Sequence, residues 1–416
     1  MNLRLCLVSL AVTASVASSA DAPKSASRTF ELNGSTGAFT AERGYGYDLG
    51  MPPTVDGAPF FFSASVPEGN FQITIAFGDD VVASSTTAKA ESRRLLVENV
   101  AAKAGETVTR TVLVNVRNSH LPPPPKNAPG GSEVIRNERE TGSLTWDDKL
   151  TFEFDGTQGK PPKVRSIMIE PVGGKTVFLV GDSTVCDQRF EDGASWGQML
   201  PRFLPAVVVA NHAESGETLK SFITGLRLAK VLTQLRPGDF MLIQFGHNDE
   251  KKQWPQTYVE AYTTYKAYLR VFLAEARQRG VTPIFVTSMQ RRDFESNGKI
   301  RNTHGDYPEA MRELAVEEKV ALIDLERMST GVYEALGPGK AALAFANHGK
   351  DITHHNNYGA YELAKCVAQG LRSIQSPLAK YLAPDFGEFN PAHPDDPATF
   401  AFPSTPLHGD STLNGN

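Results

Sequence analysis

Between about Thr29 and Val172 the chain alternates apolar and polar positions in short runs separated by turn residues. "FFFSASVPEGNFQITIAFG", "RLLVENVAA", "ETVTRTVLVNVRN" and "KLTFEFDG" carry the pattern, and "SIMIEPV" closes it. β-branched and aromatic residues dominate, and no long segment of period 3.6 occurs. The alternation predicts an all-β sandwich of jelly-roll type. "LPPPPKNAPGGSE", residues 121–133, interrupts the series. Its prolines and glycines cannot sustain a ladder, which predicts an exposed loop within or beside the sandwich.

After "EPVGGK" the pattern changes. "TVFLV", "AVVVAN", "DFMLIQF", "TPIFVTS" and "VALIDL" read as five buried strands. Amphipathic stretches lie between them, such as "TLKSFITGLRLAKVLTQL" and "TYVEAYTTYKAYLRVFLAEARQRG". A last helical pattern, "NYGAYELAKCVAQGLRSI", follows. This alternation predicts βαβ units, a parallel sheet with helices on both faces. Such open sheets collect ligands at the carboxyl ends of their strands. Polar clusters are therefore expected just after the strands. From about Pro384 the chain has no apolar periodicity and reads as a loosely ordered tail or a wrap over the surface.

Composition narrows the class. The chain has 416 residues, 40% hydrophobic and 21% charged, which suits two domains. A net charge of −5 and a pI near 6.0 argue against nucleic acid as the partner. Beyond the N-terminus no apolar run reaches the roughly 20 residues that span a bilayer, so stable membrane insertion is not expected. The N-terminus itself has the grammar of a signal peptide over residues 1–20. Arg4 supplies a positive start, "LCLVSLAVTASVA" an apolar stretch, and Ser18-Ser19-Ala20 small residues for cleavage. Export to the periplasm or medium is therefore expected. It leaves Cys186 and Cys366, whose pairing the sequence leaves open, as it does the oligomeric state.

The polar clusters stand where the sheet requires them. The first strand ends in Gly181-Asp182-Ser183, the second leads to Ser215-Gly216, the third to Gly246-His247-Asn248-Asp249, and the fourth to "MQRRDF". Gly-Asp-Ser alone reads equally well as a strand-to-loop turn. "DITHHNNYGAYELAK" changes the balance, because Asp351 and His354 precede the last helix. A serine hydroxyl needs an imidazole to take its proton, and the imidazole needs a carboxylate to fix its tautomer. Ser183, His354 and Asp351 can fill those roles. A developing oxyanion needs donors, for which the candidates are Ser183 N–H, Gly216 N–H and the Asn248 amide.

Together these residues resemble the four blocks of the SGNH (GDSL-type) hydrolase superfamily, named for Ser, Gly, Asn and His: here Ser183, Gly216, Asn248 and His354. The finer form, GDST with GHND and D-x-T-H followed by N-x-Y-G-A, resembles the rhamnogalacturonan acetylesterase family, which deacetylates pectic polysaccharide. Many members carry arginine and serine after the block-two glycine; this chain has Glu217-Thr218. The resemblance implies a flavodoxin-like α/β/α domain over residues 174–383 and a metal-free, cofactor-free serine esterase. Its substrate would be an acetylated polysaccharide or oligosaccharide. It also implies a galactose-binding-like sandwich over residues 28–172, followed by an irregular tail over 384–416. Alternatives remain: another esterase of the same fold acting on xylan, a lysophospholipid or a thioester, or a non-catalytic carbohydrate-binding protein.

Other residues invite roles of their own. His247, Arg291, Arg292 and Trp196 are candidate substrate contacts; an acidic sugar would suit the two guanidinium groups. Trp196 reads equally as core. His355 is taken as structural, and Asp182 and Asp249 as turn-holding groups. Gly193-Ala194-Ser195-Trp196-Gly197 matches the G-x-S-x-G elbow, but no strand precedes it, so Ser195 is expected to cap a short helix. His212/Glu214 and His354/His355 suggest zinc, yet no H-E-x-x-H and no cysteine pair accompanies them, so no metal is expected.

Overall fold

A computed structural model describes residues 27–407 of the chain; the candidate signal peptide lies outside them. Nine strands form the N-terminal half: β1 Arg28–Glu31, β2 Tyr45–Tyr47, β3 Phe60–Ser65, β4 Gly69–Phe77, β5 Ser84–Ala90, β6 Arg94–Ala102, β7 Val108–Val116, β8 Lys149–Gly156 and β9 Val164–Pro171. They pair antiparallel in two sheets, ordered β1-β9-β4-β7 and β2-β3-β8-β5-β6. β4 shows why. Phe71, Ile73, Ile75 and Phe77 are buried, while Gln72, Thr74 and Ala76 between them are partly exposed. The buried set meets Phe60, Phe62, Phe152 and Phe154 of the facing sheet in one apolar cluster, so the period-2 pattern produces the predicted sandwich. Residues 121–133 form no strand and are mostly exposed, as expected.

Five further strands follow: β10 Thr176–Gly181, β11 Val208–Asn211, β12 Phe240–Gln244, β13 Thr282–Val286 and β14 Ala321–Ile323. All pair parallel, in the order β11-β10-β12-β13-β14. Helices cover both faces. Val177 and Leu179 of β10 join one core cluster, Phe178 and Val180 the other. Burial on both faces is why these strands read as unbroken apolar runs rather than alternations. The strand order is flavodoxin-like and places the topological switch point between β10 and β12.

Two helical expectations need correction. The pattern over 218–235 is not one helix but two, Leu219–Thr224 and Arg227–Gln234, broken where Leu226 takes φ 60°. The Gly225 carbonyl there accepts from Ile135 N–H at 3.0 Å, so a sandwich loop occupies the groove a continuous helix would cross. The pattern from Thr257 becomes regular only at Ala261. The final helix, Asn357–Ser373, matches its pattern.

The two halves are closely joined. β5 has the polar sequence SSTTAKA, yet every residue is buried. Lys89 pairs with Glu153 at 3.0 Å and Asp155 at 3.1 Å, and its ammonium donates to the Pro403 carbonyl of the tail. Arg93 donates to the Gly193 carbonyl at 2.7 Å, Arg94 to Asp187 at 2.6 Å, and Leu95 enters the α/β core. Over its described residues, 384–407, the tail has no regular element but is anchored: Phe400 packs on Tyr358 and Tyr361. Cys186 and Cys366 are buried free thiols, so no disulfide joins them. Among the described residues no helix is long and apolar enough to cross a membrane.

Candidate active site

The loop after β10 is locked before any chemistry is considered. Gly181 has no room for a side chain: a Cβ would lie 2.7 Å from the Gln244 carbonyl oxygen. Asp182 Oδ1 accepts from Thr184 N–H at 2.9 Å and from the Thr184 hydroxyl at 2.7 Å, the turn-holding role expected of it. Burial raises its pKa. Thr184 accepts in turn from Gln244 Nε2 at 2.6 Å. Gln188 Nε2 donates to the Ser183 carbonyl at 2.7 Å. The serine main chain is therefore fixed from both sides.

On this base the structure brings three of the predicted residues together. Ser183 Oγ lies 2.9 Å from His354 Nε2, and His354 Nδ1 lies 2.9 Å from Asp351 Oδ2. All three are buried. Asp351 Oδ1 also accepts from the main-chain N–H groups of Thr353 and His354, at 2.7 and 2.9 Å. Burial alone would raise its pKa, but hydrogen bonding and the imidazole outweigh it and hold the carboxyl well below the usual range. A carboxylate that stays ionised keeps the His354 proton on Nδ1. Nε2 is then the acceptor for the Ser183 hydroxyl.

The donor candidates lie on the neighbouring turns. Gly216 takes φ +79°, a conformation suited to glycine. The N–H groups of Ser183 and Gly216 meet no acceptor among the described residues. Asn248 Nδ2 donates one hydrogen to the Glu217 carbonyl at 3.0 Å, which ties the third cluster to the second. An amide nitrogen carries two, so one remains. Asp249 Oδ1 accepts from Leu219 N–H at 2.9 Å, and burial pushes that carboxyl up to about 8.

The remaining candidates sit differently. Trp196 is 1% exposed inside the core cluster, its Nε1–H donating to Gln244 Oε1 at 2.8 Å. It therefore supports the sheet and lines no cleft, because the chain after Ser195 turns inward as a short helix. Arg292 donates to the Gly349 carbonyl at 2.6 Å and to that of Asp351, bracing the loop that carries Asp351 and His354. Arg291 pairs with Glu250 at 2.7 Å. It lines an open cavity of about 550 Å³ with Lys251, Tyr258 and His304. His247 is buried, its Nε2 3.2 Å from Met289 Sδ, and burial holds its pKa well down. His355 meets the Tyr333 hydroxyl at 2.6 Å, in keeping with a structural role. Ser195 caps the helix Trp196–Met199 by accepting from Gln198 N–H, as expected.

Sequence reasoning missed Gln188 and Arg139. Arg139, in the loop between β7 and β8, donates to the Ser215 carbonyl oxygen. No local pattern marks it, because its partner is brought there only by the packing of the two halves.

Residues 179–360 match the model of the GDSL-like lipase/acylhydrolase family. The chain is similar to rhamnogalacturonan acetylesterase RhgT of Bacillus subtilis (strain 168), at 40% identity over 220 residues. That match covers 50% of this chain and 93% of the relative. It is also similar to the probable rhamnogalacturonan acetylesterase YesY of the same organism, at 39% identity, covering 49% and 95%. Among solved structures, the Bacillus subtilis protein YxiM aligns at 22% identity and a TM-score of 0.48, covering 84% of this chain and 98% of that one.

Proposed function

The chain belongs to the GDSL-like lipase/acylhydrolase family, and from that premise we propose that it is an exported serine esterase removing O-acetyl groups from rhamnogalacturonan-type pectin. The observation that carries the reading is the chain of contacts from Ser183 Oγ to His354 Nε2 and from His354 Nδ1 to Asp351, each 2.9 Å. Ser183 Oγ attacks the acetyl carbonyl while His354 Nε2 takes its proton. Asp351 stabilises the imidazolium and keeps its orientation. Ser183 N–H, Gly216 N–H and the free Asn248 hydrogen meet the oxyanion. His354 then returns the proton to the departing sugar oxygen, leaving an acetyl ester on Ser183. A water, deprotonated by His354, attacks that ester; His354 returns the proton to Ser183 Oγ as the acyl–oxygen bond breaks and acetate leaves.

The substrate assignment rests on the two relatives named for rhamnogalacturonan, and export rests on the pattern of residues 1–20. The test is acetate release from acetylated rhamnogalacturonan, xylan and a lysolipid control, with Ser183→Ala beside the wild type. Release from rhamnogalacturonan that falls by about 10⁴-fold or more in Ser183→Ala is the expected result. Activity that survives Ser183→Ala overturns the mechanism. Release from xylan in preference to pectin overturns the substrate.

A further inference from the structure

We propose that Arg139 of the sandwich is a positioning residue for the esterase centre: it grips the Ser215 carbonyl and so aims the Gly216 N–H at the oxyanion. The inference rests on the reading of Gly216 N–H as an oxyanion donor.

The geometry starts with the peptide unit. Ser215 C=O and Gly216 N–H belong to one planar trans peptide, so they point in opposite directions. Whatever fixes the carbonyl fixes the N–H. Arg139 Nη2 donates to that carbonyl oxygen. The same nitrogen lies 3.1 Å from where a Gly216 Cβ would stand. Arg139 Nε is 3.6 Å from Glu214 Oε1, and that carboxylate also accepts from Ser215 N–H at 2.8 Å. The guanidinium therefore spans the turn. The turn is in turn pinned to the serine loop, since Glu214 N–H donates to the Gly181 carbonyl at 3.2 Å.

Arg139 is itself held firmly. The next residue, Glu140, is buried and accepts from Trp146 Nε1 at 2.8 Å and from Arg227 Nη2 at 2.5 Å. Arg227 also reaches Glu217 at 3.1 Å, and the Glu217 carbonyl accepts from Asn248. One network thus runs from the sandwich loop to two of the proposed donors. A cation on a peptide carbonyl also polarises its N–H and strengthens it as a donor. Oxyanion donors work because they are aimed before the charge develops, and removing one costs about 10²–10³ in kcat. Loosening one costs less.

The experiment compares wild type, Arg139→Ala, Arg139→Lys and Ser183→Ala on p-nitrophenyl acetate and on acetylated polysaccharide, with rates expressed per Ser183 titrated by an organophosphate, and per mole of protein for Ser183→Ala. p-Nitrophenyl acetate is too small to reach a polymer subsite. The expected result is a fall in kcat of roughly 10–100-fold in Arg139→Ala with KM within about twofold, and partial recovery in Arg139→Lys. An unchanged kcat per titrated site with only a lower Tm makes Arg139 structural and overturns the proposal. So does normal p-nitrophenyl acetate hydrolysis with a raised KM on acetylated polysaccharide, which makes Arg139 a substrate contact. Ser183→Ala separates the two levels. If it is inactive while Arg139→Ala is normal, only this inference falls. If it is active, the proposed mechanism falls as well.

Discussion

The loop of Ser183 and the loop of Ser195 both meet the dipeptide His354-His355, and the outcomes are opposite. Ser195 Oγ donates to the Cys186 carbonyl at 2.6 Å and accepts from Gln198 N–H at 3.3 Å. Its neighbour Ala194 bridges the His355 main chain, N–H to carbonyl, at 2.7 Å. His355 Nε2 is met by the Tyr333 hydroxyl, and burial pushes the ring down to about 3. Every contact of that serine ends on the main chain. Ser183 instead faces His354, whose far nitrogen is held by Asp351, and unclaimed N–H groups lie nearby. Residue type is the same in both loops. What differs is whether hydrogen-bonding capacity is used up inside the fold or left over for a substrate.

Asp351→Asn tests the contrast with the largest expected effect. The asparagine oxygen can keep the N–H groups of Thr353 and His354. Its NH₂ would then face His354 Nδ1 and favour the tautomer with a proton on Nε2. Ser183 would lose its proton acceptor while the fold stayed intact. The expected loss in kcat for p-nitrophenyl acetate is about 10³–10⁴-fold, with circular dichroism unchanged. A loss under tenfold would mean that the carboxylate does not orient the base.

The same contrast explains how much could be read beforehand. β10 to β13 were legible because both their faces are buried, so composition alone marks them. Ser183 was legible not from Gly-Asp-Ser alone, which also reads as a turn, but because Gly216, Asn248 and the Asp351/His354 pair before the last helix complete the set of roles an acyl transfer needs. β5 was not, since the polar run SSTTAKA shows no apolar alternation: Ala88 and Ala90 enter the sandwich core, while Lys89 is covered by Glu153, Asp155 and the Pro403 carbonyl of the tail. The break at Leu226 was hidden because the helical period continues across it. Trp196 was ambiguous, as an aromatic ring beside a loop has the same pattern in a core or a cleft. Arg139 was invisible for a related reason: its partner at Ser215 is remote in sequence and supplied by packing.

His355→Gln sharpens the framework side of the comparison. Glutamine can still accept from Tyr333, and it does not titrate. In the folded wild type the ring stays neutral down to about pH 3, whereas unfolded it binds a proton near pH 6.5. Between those values the unfolded chain carries more protons, so stability falls as pH drops through that window. His212 and His247 are also buried with their pKa values held down and act in the same direction. The substitution should therefore remove only part of the slope. Between pH 7 and 5 this protonation difference is worth about 2 kcal/mol, so the variant is expected to lose roughly 4–8 °C less in Tm than the wild type. Its kcat at pH 7 should stay within about threefold. Equal slopes would mean that the ring titrates alike folded and unfolded, and a collapse of kcat would place His355 on the reacting side.

Ser195→Ala carries the smallest expected effect on rate and the sharpest distinction. An elbow serine would take nearly all activity with it when removed. Ser195 here loses two things instead. Gln198 N–H loses its cap, which costs about 1 kcal/mol, and the buried Cys186 carbonyl loses a donor, which costs about as much again. In a domain of this size that is a Tm drop of roughly 4–8 °C. Because Cys186 lies on the loop that carries Ser183, a small rate change is expected, within about twofold per titrated site. Calorimetry and p-nitrophenyl acetate kinetics on one preparation read both quantities. A large loss of kcat with Tm unchanged would reverse the roles of the two serines.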